Sequence, residues 1–247
     1  MMNAYMGLAR FYDDLTGDVP YESFADYYEN KFRERGKTVH TLLDFACGTG
    51  TLTCIMARRG YEMIAVDPSS DMLMELMDKA YTMEDIEPPL VLCQDAVSLD
   101  LNDVVDACYS SLDGINYIHP EDLTELFRLL HLFIAPDGLL VFDVNSPQRF
   151  RSLDGQVFVD ETEEVLCLWR ADFDEEENAL IYGMDLFTRT EDDLWEREVE
   201  EHIEYAHPIE WLVQELTRAG FRSIQVDEHG PQSEHGRVFI TAENTPH

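Results

Sequence analysis

The sequence predicts an α/β fold in which a mostly parallel sheet is interrupted by an inserted antiparallel sheet. Three observations lead to this prediction. Apolar strand segments alternate with helical segments from residue 39 to residue 145. From residue 156 to residue 205 the helices stop, and strand-like segments follow one another. A further helical segment and two strand segments then close the chain. Alternation of this kind indicates helical crossovers, whereas consecutive strands indicate hairpins.

The first half of the chain carries the alternating pattern. Helical crossovers between strands require a doubly wound, Rossmann-like sheet with helices on both faces. The segment before residue 17 is rich in aromatic residues and is predicted to be irregular. The predicted strands are 39–45, 62–66, 90–94, 104–110 and 139–145, and the predicted helices are 21–35, 52–59, 70–81 and 120–134.

After Pro147 the pattern changes to strand segments separated by charged stretches, which are typical of hairpin turns. We therefore expect a Rossmann-like domain formed by residues 1–150 and 206–247. Residues 151–205 are expected to form an inserted antiparallel lid or substrate subdomain. The remaining predicted elements are strands 157–159, 165–173, 179–190 and 194–205, helix 208–219, and the closing antiparallel strand pair 221–228 and 237–243.

The net charge and the cysteine content limit which partners and which cellular compartment we expect. Asp and Glu number 51 against 17 Lys and Arg, which gives a formal charge of −34. Because phosphate neutralisation dominates affinity for nucleic acids, we expect neither DNA, RNA nor an anionic membrane as partner. Five cysteines without a Cys-x-x-Cys pair, and no apolar signal-peptide core, predict a cytoplasmic protein with reduced thiols and no metal site. Monomer and homodimer remain open.

A glycine-rich turn follows the first predicted strand and reads Asp44-Phe45-Ala46-Cys47-Gly48-Thr49-Gly50. Ligands of open α/β sheets bind beyond the carboxyl ends of the strands. Glycine there lets a ligand approach the backbone, and the next helix offers unpaired amides. The third glycine of a dinucleotide fingerprint is replaced by Thr53. Asp44 suits an ammonium group better than a pyrophosphate.

Two further carboxylates end the next two strands. Asp67 follows one helix after the glycine-rich turn and is placed to accept both hydroxyls of a ribose. Asp95 is placed to accept from the amino group of an adenine, beside the backbone of Ala96. With Asp44, these carboxylates match the ammonium, ribose and adenine of S-adenosylmethionine. Each residue alone is also compatible with a turn or a helix cap.

The chain resembles class I S-adenosylmethionine-dependent methyltransferases, above all small bacterial ones that read D-x-A-C-G-T-G, V-D, D-A and then Asn-Tyr. The likeness runs from Phe11 to about Asn145. Ala46 stands where the family motif often has glycine, which we interpret as a mild departure. The cofactor site expected with this resemblance comprises Tyr12, Asp44, Ala46, Gly48, Gly50, Asp67, Pro68, Met72, Asp95, Ala96, Ser111 and Leu112.

The loop 111–117 follows the fourth predicted strand and is expected to border the transferred methyl group. Asn116 and Tyr117 match a family segment near the sulfonium and are candidates for acceptor binding, but a capping Asn and a core Tyr fit the sequence equally well. Trp169 is the candidate from the insertion for a wall of the acceptor pocket. His119 is either a general base or a residue at the start of the next helix.

Several other aromatic residues allow two interpretations. Those near the N-terminus either fold over the cofactor or pack against the sheet. Those of the insertion either border the acceptor or form the core of the inserted sheet. The first group is Tyr5, Phe11, Tyr12 and Tyr21, and the second, beside Trp169, is Phe173, Tyr182, Phe187 and Trp195.

We therefore expect a methyltransferase that uses S-adenosylmethionine and acts on an unidentified small molecule. The motif Asn/Asp-Pro-Pro-Tyr, which positions a planar amino nitrogen, is absent from the sequence. Two alternatives stay open. One is an NAD-type oxidoreductase on a similar fold, and the other is a protein that binds S-adenosylmethionine without catalysis.

Overall fold

The computed structural model of the chain describes residues 7–190 and 192–246. The strands are β1 (Thr41–Phe45), β2 (Glu62–Asp67), β3 (Leu90–Cys93), β4 (Val105–Ser110), β5 (Ile134–Asn145), β6 (Val157–Glu161), β7 (Val165–Asp174), β8 (Ala179–Arg189), β9 (Trp195–Tyr205), β10 (Phe221–Asp227) and β11 (Arg237–Asn244). The helices are α1 (Tyr12–Leu15), α2 (Tyr21–Glu34), α3 (Thr51–Arg58), α4 (Ser70–Thr82), α5 (Pro120–Phe133), α6 (Pro147–Leu153) and α7 (Ile209–Ala219).

Seven strands form the main sheet in the order β10-β11-β5-β4-β1-β2-β3. Strands β1 to β5 pair in parallel, while β11 runs antiparallel to both β5 and β10. The predicted fold class, a doubly wound and mostly parallel sheet with a C-terminal antiparallel pair, is confirmed. The chain order reverses between β1 and β4, and such a switch point leaves a crevice at the carboxyl ends of the strands.

Helices cover both faces of the main sheet because the buried strands are apolar on both sides. Leu42 faces α2 and α3, where Tyr28 is fully buried. The next residue, Leu43, faces α5 and α7, where Phe127 is fully buried. This alternation is the period of two that a strand imposes. No helix within the described part of the chain is both long and apolar enough to cross a membrane.

The predicted antiparallel insertion is confirmed as a separate four-stranded sheet in the order β6-β7-β8-β9. One face of this sheet has its own small core. Cys167 and Met184 are fully buried there, and Leu8 and Phe11 of the N-terminal segment pack against them. The N-terminal segment therefore belongs to the packing of the inserted sheet.

Three local predictions were wrong. The N-terminal segment is not wholly irregular, since it contains a 3₁₀ turn at Ala9–Phe11 and the helix α1. Strand β5 begins at Ile134, directly after α5, and not at residue 139. Helix α6 was missed although Ser146 and Pro147 are typical of a helix start. The Ser146 hydroxyl accepts from the Arg149 amide at 3.3 Å, and α6 extends across the predicted boundary between residues 150 and 151.

A buried ion network joins the C-terminal strand pair to the rest of the sheet. Asp143 of β5 is fully buried and forms an ion pair with Arg237 of β11. Its two oxygens also accept from the amides of Leu112 and Asp113, each at 2.9 Å. Both of those residues have positive φ, at 54° and 58°. Arg237 donates in turn to Asp113 at 2.7 Å, so Asp143 holds a strained loop and a guanidinium together.

We expect replacement of Asp143 by Ala to lower the free energy of unfolding by about 3–5 kcal/mol, because Arg237 then loses its fully buried partner. Urea unfolding at neutral pH measures the change. Glu125→Ala is the matched control, because its pair with Arg128 lies on an exposed helix surface, and it should leave the unfolding curve unchanged. An equal effect of both substitutions would contradict the assigned role of Asp143.

Candidate active site

A cavity of about 710 Å³ opens at the carboxyl ends of β1 to β4. It occupies the switch point of the sheet, where α/β folds bind their ligands. Its volume lies within the range of about 300–1,000 Å³ that is common for small-molecule sites. The four segments that follow the strands and line it are 46–49, 67–72, 95–97 and 111–114.

The turn after β1 depends on small residues. Gly50 has φ of 69°, and a Cβ on it would lie 2.1 Å from Leu76 Cδ1. Ala46 also has a positive φ, of 59°, a region in which an L-residue is about 1–2 kcal/mol less stable. The replacement of glycine by Ala46 is therefore less neutral than the sequence indicated. A Cβ on Gly114 would lie 2.8 Å from Ala46 Cβ, so this turn touches the loop 111–117, named the acceptor loop after its expected role.

Asp67, the last residue of β2, lies on the cavity wall. Its Oδ2 accepts from the Gly48 amide at 2.9 Å, and its Oδ1 accepts from the Ser69 amide at 2.8 Å. Burial raises the pKa of this carboxyl, and the two amides oppose the rise. A carboxylate has about four acceptor positions, so two remain for a ligand. Asp67 thus fixes the turn after β1 and keeps acceptor capacity on the cavity wall.

Most of the expected cofactor residues line this cavity. Asp95 does so while also forming its own turn, since its Oδ1 accepts from the amides of Val97 at 3.1 Å and Ser98 at 2.9 Å. Both interpretations of Asp95, turn residue and cavity residue, therefore hold in the structure. The other expected residues on the wall are Tyr12, Ala46, Gly48, Pro68, Met72, Ala96, Ser111 and Leu112.

Asp44 and Gly50 do not belong to the lining residues. Asp44 lies beneath the turn, where its Oδ2 accepts from Thr53 Oγ1 at 2.5 Å and from Tyr109 Oη at 2.8 Å. Its Oδ1 is buried and has no hydrogen-bond partner within the described residues. Burial raises the pKa of Asp44 to about 7, against the effect of both hydroxyl donors. Gly50 acts through the conformation of the turn.

The N-terminal segment covers one side of the cavity. Tyr12 and Tyr21 line it, as the covering interpretation requires. Asp13 holds α1 in place, because its Oδ1 accepts from the hydroxyls of Thr49 at 2.6 Å and Thr51 at 3.1 Å. Tyr5 lies outside the described residues. Phe11 instead packs against the inserted sheet.

Asn116 and Trp169, two of the three expected acceptor residues, do not line the cavity: Asn116 is fully buried and Trp169 is half-buried. Asn116 Nδ2 donates to the Tyr205 carbonyl at 2.8 Å, and its Oδ1 accepts from the Asn145 amide at 2.9 Å. Asn116 therefore joins the acceptor loop to β5 and β9. The ring of Trp169 lies 6.0 Å from that of Tyr182, inside the inserted sheet's packing. Tyr117 does line the cavity.

His119 combines the two roles that the sequence left open. It lines the cavity, and its Nδ1 accepts from the Glu121 amide at 3.3 Å at the start of α5. A neutral His119 with that acceptor carries its proton on Nε2, and Nε2 then donates. This tautomer, assigned from the hydrogen bond, favours an orienting role over that of a base.

Sequence reasoning missed Asp113, Arg237 and Tyr205, which also line the cavity. A signal for Arg237 was available. It opens the last strand, and an antiparallel partner of β5 must begin where β5 ends, at the cavity. Tyr205, the last residue of β9, is the described residue of the inserted sheet that lines the cavity. Phe173, Tyr182, Phe187 and Trp195 are not among the lining residues.

Comparisons with known proteins agree with this geometry. The sequence model of the methyltransferase-domain family matches residues 42–138. The putative methyltransferase YqeM of Bacillus subtilis is 27% identical over 248 residues, which cover 98% of this chain and 97% of that protein. A crystal structure of an S-adenosylmethionine-dependent methyltransferase from Clostridium acetobutylicum superposes with a TM-score of 0.84 at 26% identity, covering 98% of this chain and 99% of that one.

The structure of DesVI from Streptomyces venezuelae shares the fold, with a TM-score of 0.81 at 20% identity over 96% of this chain and 98% of that one. The fold, the cavity at the switch point and these likenesses together support the assignment of the chain to the class I S-adenosylmethionine-dependent methyltransferases.

The raised pKa of Asp44 predicts a dependence of stability on pH. Between an unfolded pKa of about 4 and the folded pKa of about 7, the folded protein holds more protons than the unfolded protein. The contribution of Asp44 to the free energy of unfolding therefore decreases as pH rises through this range. Asp44→Asn cannot titrate and should show a shallower decrease.

Urea unfolding of the wild type and of Asp44→Asn at several pH values from about 4.5 to 7.5 checks this dependence. Asp78→Asn is the control because Asp78 lies exposed on α4, and its pH slope should match that of the wild type. Identical slopes for the wild type and Asp44→Asn would show that Asp44 titrates normally in the folded protein.

Proposed function

We propose that the cavity holds S-adenosylmethionine across the ends of β1 to β3 and takes a small-molecule acceptor at the end formed by Tyr117, Asp113 and Tyr205. The observation that supports this most is the position of Asp67. It lies on the cavity wall, and its carboxylate holds the glycine-rich turn through two backbone amides. Two of its hydrogen-bond acceptor positions remain for a ligand. The cavity continues beyond that point to the acceptor loop.

The residues on the wall fit the parts of this cofactor. Asp67 would hold the ribose hydroxyls, and Asp95 with Ala96 would border the adenine. Pro68, Met72 and Leu112 supply apolar surface for a planar ring. Ala46, Gly48, Tyr12 and Ser111 would surround the methionine part. Asp44 and Gly50 are proposed to act indirectly, through the turn.

Bound S-adenosylmethionine supplies a methyl group that its sulfonium has already activated. The protein's part is then to position the acceptor and to exclude water, which lowers the barrier mainly through proximity. Tyr12 and Tyr21 cover the cavity from the N-terminal side, and Tyr205 closes it from the inserted sheet. His119 Nε2 is placed to orient the acceptor by donating a hydrogen bond.

Two further properties belong to this proposal. The acceptor is a small molecule, because the net charge of −34 opposes the approach of nucleic acids. We also place the protein in the cytoplasm. Its five cysteines carry free thiols, three of them buried, which suits a reducing compartment.

Isothermal titration of the full chain with S-adenosylmethionine and with S-adenosylhomocysteine tests cofactor binding. We expect both to bind, and NAD to bind more weakly. Absence of binding at high micromolar concentrations of both would refute the proposed site. Release of S-adenosylhomocysteine in the presence of a small-metabolite extract then separates an enzyme from a protein that only binds the cofactor.

Replacement of Asp67 by Ala should weaken S-adenosylhomocysteine binding by about 1–3 kcal/mol, because charge-assisted hydrogen bonds to the ribose are lost. Asp67→Asn, which keeps the size of the side chain, should lose part of the same affinity. The matched control is Asp78→Ala on the exposed side of α4, with unchanged affinity. If Asp67→Ala also binds unchanged, the ribose lies elsewhere.

A further inference from the structure

Glu204 is a buried carboxyl group that the proposed cofactor site does not use. It lies near the end of β9 with only 4% of its surface exposed. Its Oε2 has no hydrogen-bond partner among residues 7–190 and 192–246. A buried polar atom without a partner costs free energy. An atom of this kind next to a ligand cavity indicates a missing donor.

The surroundings of Glu204 place it at the acceptor end of the cavity. Its carboxyl group interacts with the side chains of Asp113 and Tyr117, and both of these line the cavity. Burial, with the nearby charge of Asp113, raises the pKa of Glu204 well above its usual value. Tyr12, another lining residue, also lies within electrostatic range of Glu204. Glu204 and Asp113 thus form a pair of carboxyl groups of which Asp113 lines the cavity, whereas Glu204 lies behind it.

The charge balance at this end excludes one kind of acceptor. Among the described residues that line the cavity, Arg237 is the one with a permanent positive charge. Its two terminal nitrogens already pair with Asp143 and Asp113. A carboxylate or phosphate on the acceptor would therefore meet carboxyl groups with no uncommitted cation. Such an arrangement repels anions and attracts cations.

Aromatic rings complete the acceptor end. Tyr117, Tyr205 and Tyr12 line it, and the ring of His119 stands edge to face against Tyr205 at 5.0 Å. The faces of aromatic rings attract cations and tolerate methylated ammonium groups. The wall therefore suits a basic nitrogen before and after methylation.

Building on the proposed methyl transfer, we propose that the acceptor is an amine, and that it is recognised by the carboxyl pair of Glu204 and Asp113. The N–H groups of the amine donate hydrogen bonds to this pair and supply the donor that Glu204 Oε2 lacks. A proton passes from the bound ammonium to the carboxyl pair, which frees the nitrogen lone pair to take the methyl group as S-adenosylhomocysteine leaves. Glu204 is then a specificity-determining residue contributed by the inserted sheet. Alcohols of the same size lack the positive charge and bind less tightly, and carboxylic acids are repelled.

Three analogues of S-adenosylhomocysteine test the proposal without knowledge of the substrate. In each of them nitrogen replaces the sulfur and carries a short arm that reaches toward the acceptor end. The arms end in an ammonium, a hydroxyl or a carboxylate. Titrated into the full wild-type chain, the ammonium arm should bind about tenfold more tightly than the hydroxyl arm, the factor expected for one charge-assisted hydrogen bond. The carboxylate arm should bind most weakly.

Two variants assign the preference to Glu204. Glu204→Gln keeps the shape but cannot become a carboxylate when an ammonium binds, and should bring the ammonium and hydroxyl arms to similar affinity. Glu201→Gln, an exposed position of the same strand, should keep the wild-type ranking. Unmodified S-adenosylhomocysteine should bind all three proteins equally.

The outcomes separate the two proposals. If S-adenosylhomocysteine itself does not bind the wild type, the proposed function fails. If it binds but the three arms bind equally, or the carboxylate arm binds best, the amine proposal alone is overturned. The ranking on the wild type decides this even if Glu204→Gln does not fold. A preference for ammonium that persists in a folded Glu204→Gln would remove Glu204 from the recognition of the acceptor.

Discussion

The guanidinium group of Arg237 lies between two carboxylates, and the proposed acceptor end of the cavity depends on that arrangement. Asp143 belongs to β5, Asp113 to the loop after β4, and Arg237 to the last strand, β11. Taking three charges out of water is costly unless each has partners. Here Asp143 also accepts hydrogen bonds from two backbone amides of the loop that carries Asp113. The network therefore positions the acceptor loop and at the same time attaches the C-terminal strand pair to the parallel sheet.

Burial of carboxyl groups is the common electrostatic feature of this site. Burial raises the pKa of Asp44, Asp67 and Asp143, although each of them accepts hydrogen bonds. Desolvation of these carboxyl groups costs free energy, which their hydrogen bonds and, for Asp143, the ion pair with Arg237 offset. Perturbed groups of this kind are typical of functional sites. In a chain with a formal charge of −34, such burial also brings carboxyl groups together where a cationic ligand would favour their ionised form.

The sequence predicted those parts of the structure that depend on local patterns. The periodicity of apolar residues in strands and helices predicted both sheets. Asp67 and Asp95 were predicted to lie together because the carboxyl ends of parallel strands meet at one edge of the sheet. Asp44 was predicted at the same edge, but its carboxyl group does not line the cavity. It accepts hydrogen bonds from the buried hydroxyls of Thr53 and Tyr109 instead. Periodicity along one strand does not show which hydroxyls lie beneath it.

Residues whose position depends on pairing between distant strands were harder to predict. Arg237 reaches the cavity through the register of β11 against β5, in which Arg237 lies opposite Asn145. For the inserted sheet, period-two alternation separates inner from outer faces but does not show which end of a strand reaches the main domain. Trp169 was therefore favoured, whereas Tyr205 is the residue on the wall.

The contact between Ala46 and Gly114 has an evolutionary consequence. A Cβ on Gly114 would lie only 2.8 Å from the Cβ of Ala46, so the two positions share a space that admits one methyl group. Whether a substitution is tolerated at one of these positions then depends on the residue at the other. A lineage with glycine at position 46 can accept alanine at position 114, provided that Ser110 Oγ, 2.9 Å from the same point, can move. Across descendants of this chain, the two positions should therefore change together, and glycine at both should be the common intermediate.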